Sequence, residues 1–201
     1  MAAATFTYRP RTGPAVAIGT WALATWTGVS LAGTDGEEFF RWLPALAWAA
    51  LTVWAVFWAP KVTVSPGGLV IRNVTASHWV PWAAIARVDT KWALTLYTGR
   101  SKVTAFAAPA SLRPLRGTPG GDLKHLPEST FDAGRSVRPG DLPGTPSGDL
   151  AWVVRERWER ARDAGPTGVA SGEVPTRCWH WGVIGAWVAL AAVAALARLT
   201  A

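Results

Sequence analysis

Three stretches of this sequence carry no Asp, Glu, Lys or Arg over a length close to that of a bilayer crossing. They run from Ala15 to Gly33, from Trp42 to Pro60 and from Cys178 to Ala197. About 20 apolar residues at a helical rise of about 1.5 Å cover a hydrocarbon core of about 30 Å. Buried helices of a soluble domain would need far more polar chain around them than is left over. Only 16% of the 201 residues are charged, below the roughly 25% usual for soluble domains. The first run is too long for the apolar core of a cleaved signal, which spans about 7–15 residues, and it holds Trp21 and Trp26. The expected class is a membrane protein with three transmembrane helices.

The flanking charges give the runs a direction, because Lys and Arg are retained on the cytoplasmic side. Arg9 and Arg11 precede the first run, Lys61 follows the second and Arg177 precedes the third. The short loop between the first two holds Asp35, Glu37 and Glu38 against Arg41. The N-terminus and residues 61–177 are therefore expected in the cytoplasm, with the acidic loop and the last few residues outside. That is a multi-pass protein of the cell membrane. None of the three runs holds an acid or base in its interior, which argues against an ion pathway. Gly182, Gly185, Ala186 and Ala189 form small-residue pairs four apart, a spacing that permits close helix approach.

Between the second and third runs the hydrophobic period changes. From 61 to 108 apolar and polar residues alternate, the pattern of half-buried strands. Val62 and Val64, Leu69 and Ile71, His78 to Val80, Ala83 to Asp89, Trp92 with Leu94 and Leu96, and Lys102 to Ala107 mark about six short antiparallel strands. Ser65-Pro66-Gly67-Gly68 is a turn, Asn73 closes a strand, and Thr98-Gly99-Arg100 is a hairpin loop. Residues 109–148 hold seven prolines and seven glycines and read as a disordered insertion. Asp149 can cap a helix over 149–164, in which Leu150, Val154, Trp158 and Ala161 share one face; Arg155 falls among the polar remainder. Residues 165–177 read as a linker to the third span at 178–197. The fold expected is α plus β: three transmembrane helices with a small antiparallel β split barrel and a C-terminal amphipathic helix.

The segments from Val62 to Asn73 and from Val80 to Val88 resemble the bacterial PH domain family, of the low-molecular-weight protein antigen type. Tyr8-Arg9-Pro10 is similar to the Arg-Pro that often precedes the membrane hairpin of such proteins. The resemblance covers residues 5–108 with the helix at 149–164. It implies a PH-like fold held at the membrane in an actinobacterial member, and no common ligand. Phosphoinositide-binding PH domains carry cations in the first hairpin loop; here that loop is Ser65 to Gly68, without one.

The chemistry-bearing residues do not assemble into a catalytic pattern. His78, His125 and His180 are scattered without a second ligand at metal spacing, and Asp89 lacks a paired carboxylate for acid–base work. A single cysteine, Cys178, excludes an intramolecular disulfide. Catalytic, cofactor and metal residues are expected to be none, with no cofactor and no nucleic acid partner. Trp79, Trp82 and Trp92 are candidates for stacking on a ligand, but aromatic residues in so small a β domain more often form its core. Residues 61–177 carry 16 basic and 10 acidic residues, enough for weak contact with anionic lipid. The expected function is a non-enzymatic interaction module that binds a protein partner at the cytoplasmic face. The alternatives are an anionic-lipid surface sensor and an accessory subunit of an envelope enzyme or transporter.

Overall fold

The protein is described here by a computed structural model, which covers residues 5–10, 12–34, 36–99, 101–109, 146–163 and 174–199. In chain order the elements are β1 (Phe6–Tyr8), α1 (Thr12–Thr34), α2 (Gly36–Val53), β2 (Lys61–Val64), β3 (Gly68–Arg72) and β4 (Ala76–Pro81). They continue with β5 (Ile85–Asp89), β6 (Ala93–Thr98), β7 (Lys102–Pro109), α3 (Pro146–Asp163), β8 (Thr176–Trp179) and α4 (Trp181–Leu199). The chain divides into two compact units, one of residues 1–10 and 61–178, the other of residues 11–60 and 179–201.

The first unit holds two sheets, one ordered β1-β2-β3-β4-β8 and one ordered β5-β6-β7. Alternation sets the faces: Val62 lies opposite Ile71 and Val64 opposite Leu69, and all four are fully buried. Leu94, Leu96, Val103 and Ala105 supply the matching inner face of the second sheet. Leu150 and Val154 of α3 enter the same core, with Trp158 and Ala161 packed at its margin, so the stripe predicted for that helix is the one it buries. Each fully buried Leu, Ile or Val contributes on the order of 1.5–3 kcal/mol. The corner between the sheets is a single 3₁₀ turn, Trp82–Ala84, which follows Pro81. Pro81 lacks the N–H that would continue the ladder.

A side chain joins the sheets elsewhere. The Asn73 amide donates from Nδ2 to the Thr104 carbonyl at 2.8 Å, and its Oδ1 accepts from the Phe106 N–H at 2.9 Å. One carboxamide thus takes the donor–acceptor pair that a neighbouring strand would offer to β7. At Gly68 a Cβ would stand 2.7 Å from the Pro81 Cα and overlap the Val80 carbonyl, so the β3–β4 approach requires glycine there.

Several boundaries differ from those read in the sequence. Pro109 ends β7 and Pro146 begins α3, so neither end of the insertion expected at 109–148 stands as read, and residues 110–145 lie outside the described residues. Asp149 sits in the first turn of α3, not at its cap. Arg155, assigned by pattern to the polar side, is 3% exposed, and its Nη2 reaches the Val88 carbonyl at 3.5 Å. Trp92 does not share the face of Leu94 and Leu96: β6 starts one residue later, and Trp92 projects from the preceding bend at 80% exposure. The stretch 174–177 is not wholly linker, because Thr176 opens β8, and the last helix begins at Trp181 and not at Cys178. β1 lies in the segment expected only to lead into the first span.

The second unit consists of α1, α2 and α4. Its helical stretches Thr12–Gly33, Gly36–Trp58 and Trp181–Leu199 are each long and apolar enough to cross a membrane. α2 contains Pro44 and passes into one π-helical turn, Trp54–Trp58, closed by the Ala59 N–H donating to the Trp54 carbonyl at 2.9 Å. A Cβ at Gly13 would overlap the Phe57 carbonyl, so α1 meets this turn backbone to backbone. The Trp21 indole donates to the Ala50 carbonyl at 3.2 Å. The Trp187 ring of α4 stacks 5.2 Å from Trp48, and its N–H donates to the Thr52 hydroxyl at 2.7 Å. Gly182 and Gly185 face open space, so these two glycines do not mediate the contact of α4 with α2, in which Trp187 takes part.

Candidate interaction surface

Among the described residues of the first unit, the excess positive charge lies on the strands and their turns. Among the described residues, α3 carries Arg155, Arg157, Arg160 and Arg162 against Asp149, Glu156, Glu159 and Asp163, and is neutral. The strands and their turns carry Arg9, Lys61, Arg72, Arg87, Lys91, Lys102 and Arg177 against Asp89 alone. The described strands and turns thus carry a positive excess that the helix does not, a charge suited to an anionic partner.

On the outward face of the second sheet the cations stand in an ordered frame. Arg87 lies opposite Tyr97, and Tyr97 opposite Lys102. The Arg87 guanidinium carbon is 4.3 Å from the Tyr97 ring centroid, within cation–π range. The next row is Asp89, Thr95 and Thr104, with the two hydroxyls 3.1 Å apart. In the bend after Asp89 the Lys91 N–H donates to Asp89 Oδ1 at 3.1 Å. The Lys91 ammonium stands 5.9 Å from the exposed Trp92 ring.

The other candidates fall elsewhere. Trp82 is 3% exposed, and its indole donates to the Pro66 carbonyl at 2.9 Å and the Ser65 carbonyl at 3.2 Å. The first hairpin loop is further closed by the Ser65 N–H and hydroxyl on the Gly68 carbonyl at 2.9 and 2.8 Å. That loop is a braced turn without a cation. Trp79 is half-buried on β4, beside Gly67. His78, also on β4, is held below its ordinary value, first by burial and then by the Arg177 guanidinium. Among the described residues no three His, Cys, Asp or Glu side chains come together as metal ligands; His125 lies outside them. The Arg87–Tyr97–Lys102 row was not singled out from the sequence. Its signal was present as alternation with polar outward positions, but register across three strands cannot be read from spacing alone.

A comparison with protein families matches residues 59–139 to the family described as Bacterial PH domain. The match takes in β2 to β7 and leaves β1, α3, β8 and the three apolar helices outside it. No curated protein and no solved structure matches the chain. The described part of that match, β2 to β7, is the two-sheet core with its corner at Trp82, and residues 59–139 are similar to the bacterial PH domain family.

Proposed function

We propose that this protein is a membrane-anchored PH-domain module, without enzymatic activity of its own, that holds a protein partner at the cytoplasmic face of the cell membrane. The narrower likeness to the low-molecular-weight protein antigen type of actinobacteria is part of the same reading. The observation that carries it is the continuity of the domain's sheet with the apolar helices. β1 runs into α1, β2 follows the end of α2, and β8 runs into α4, while all three strands belong to one sheet. A domain tied at three points to candidate spans is suited to presentation at a bilayer surface and not to release from it.

The basic strand surface favours a second reading, a sensor of anionic lipid. Charge alone contributes about 1 kcal/mol per basic residue near an anionic membrane, without head-group choice. The full chain, reconstituted in nanodiscs of phosphatidylcholine with either phosphatidylglycerol or phosphatidylserine at equal charge, separates the two by hydrogen exchange of the domain. The module reading expects identical protection in both lipids, and a protein that copurifies in fixed ratio after mild detergent extraction. Protection specific to one head group that persists in 1 M salt, where the screening length is about 3 Å, would establish the lipid sensor instead.

A further inference from the structure

We propose that the outward face of the β5–β6–β7 sheet is the docking surface for an acidic protein segment, with Arg87, Lys102 and Lys91 as the cations that receive its carboxylates. This rests on the protein-module reading and names the surface and chemistry of the partner. The Arg87–Tyr97–Lys102 row occupies one end of the face. Lys91 and the exposed Trp92 occupy the other. Arg87 and Lys102 sit on one row of the sheet, β5 ends two residues on at Asp89, and Lys91 follows in the bend beyond it. Cations placed on either side of Asp89 do not converge on one small anion. They match a chain that carries acids on both sides of an uncharged centre.

Between these cations the sheet presents the uncharged hydroxyl pair of Thr95 and Thr104, with Asp89 opposite Thr95. A single segment can set its acids on the rim cations and leave an uncharged side chain over the middle. Trp92 offers that segment an apolar contact of the kind that anchors protein interfaces. Tyr97 holds the Arg87 guanidinium in place, lowering the freedom lost when a carboxylate binds.

The test uses the full chain in phosphatidylcholine nanodiscs. The probe is a fluorescein-labelled ten-residue peptide with Glu-Glu near one end and Leu-Glu four residues on. Binding, read by anisotropy, should weaken at least tenfold in Arg87→Glu/Lys102→Glu and be unchanged in Arg160→Glu/Arg162→Glu, which changes the charge equally on α3. No binding to the unaltered protein, or equal loss in both variants, overturns the proposal. If the reversed variant loses hydrogen-exchange protection in β5–β7, Arg87→Gln/Lys102→Gln replaces it with the same expectation. A photocrosslinker at Thr95, against one at Glu159, is then read in cells. Protein adducts from Thr95 that vanish with Arg87→Glu support the surface. Protein adducts from Glu159 alone overturn the surface and leave the module reading standing. Lipid adducts alone from both positions overturn both.

Discussion

Asn73 ends a strand in sequence, but in the fold it does the work of a short piece of backbone. Its amide serves both the Thr104 carbonyl and the Phe106 N–H, bridging the hairpin of one sheet to the outer strand of the other. Two neutral hydrogen bonds at about 0.5–1.5 kcal/mol each put the expected cost of Asn73→Ala at about 1–3 kcal/mol. Hydrogen exchange at the Phe106 amide should quicken in that variant. Asn73→Asp keeps the acceptor and loses the donor, so it should retain protection at Phe106 while still being less stable. His78 sets a second expectation at this scale. Its depressed pKa means that the unfolded chain binds the proton more readily. Its contribution to stability is therefore complete above the unfolded value of about 6.5 and is lost as pH falls from there through the folded value. His78→Gln should flatten that part of the stability profile. Arg177→Gln should raise the His78 pKa only partly, because burial is the larger cause; an NMR titration of the ring protons reads both.

At the scale of elements, the strands legible in the sequence are those with a two-residue period long enough to see. Val62, Val64, Leu69, Ile71, Leu94 and Leu96 announced β2, β3 and β6, and all six are buried as alternation requires. β1 and β8 were not legible. They have three and four residues, too few for a period to show, and β8 is exposed throughout; pairing with a neighbour makes them strands where local pattern does not. Trp92 was misread for a related reason, since the alternation of Leu94 and Leu96 extends to it in sequence but the strand does not. A fragment of residues 61–165, natural to choose from the sequence, therefore lacks both outer strands of the five-stranded sheet. It is expected to leave β2 as an open edge and to self-associate. A version with residues 5–10 joined to residue 61 by a short flexible linker should restore the β1–β2 pairing, including the Thr7–Thr63 contact at 3.3 Å. Size-exclusion chromatography with hydrogen exchange at Val62 and Thr63 distinguishes the two. Equal monomer content would show that β1 adds nothing to the sheet.

For the whole molecule, strand pairing constrains topology in a way that charge counting does not. A sheet lies on one side of a bilayer. β1 precedes α1 and pairs with β2, which follows α2, so any bilayer crossings made by the chain between them are even in number. β8 belongs to the same sheet and precedes α4, so a crossing by α4 carries Arg198 to the opposite side. The helical unit agrees from its own contacts. The Arg198 guanidinium stands 3.5 Å over the Trp42 ring, and Trp42 is bonded to Glu38 near the start of α2 at 3.2 Å. The end of α4 and the start of α2 thus share one end of the helix set. The flanking arginines and lysines then predict which side is which. A membrane-impermeant maleimide applied to intact cells should leave the exposed thiol of Cys178 unlabelled. In a Cys178→Ser background it should label Gly36→Cys and a cysteine at position 198 (Arg198→Cys), while Thr7→Cys stays protected. Labelling of Cys178 and Thr7→Cys with protection of the other two would reverse the orientation but keep the shared-sheet rule. Labelling that separates Thr7→Cys from Cys178 would break that rule, because two strands of one sheet would then lie on opposite sides of the membrane.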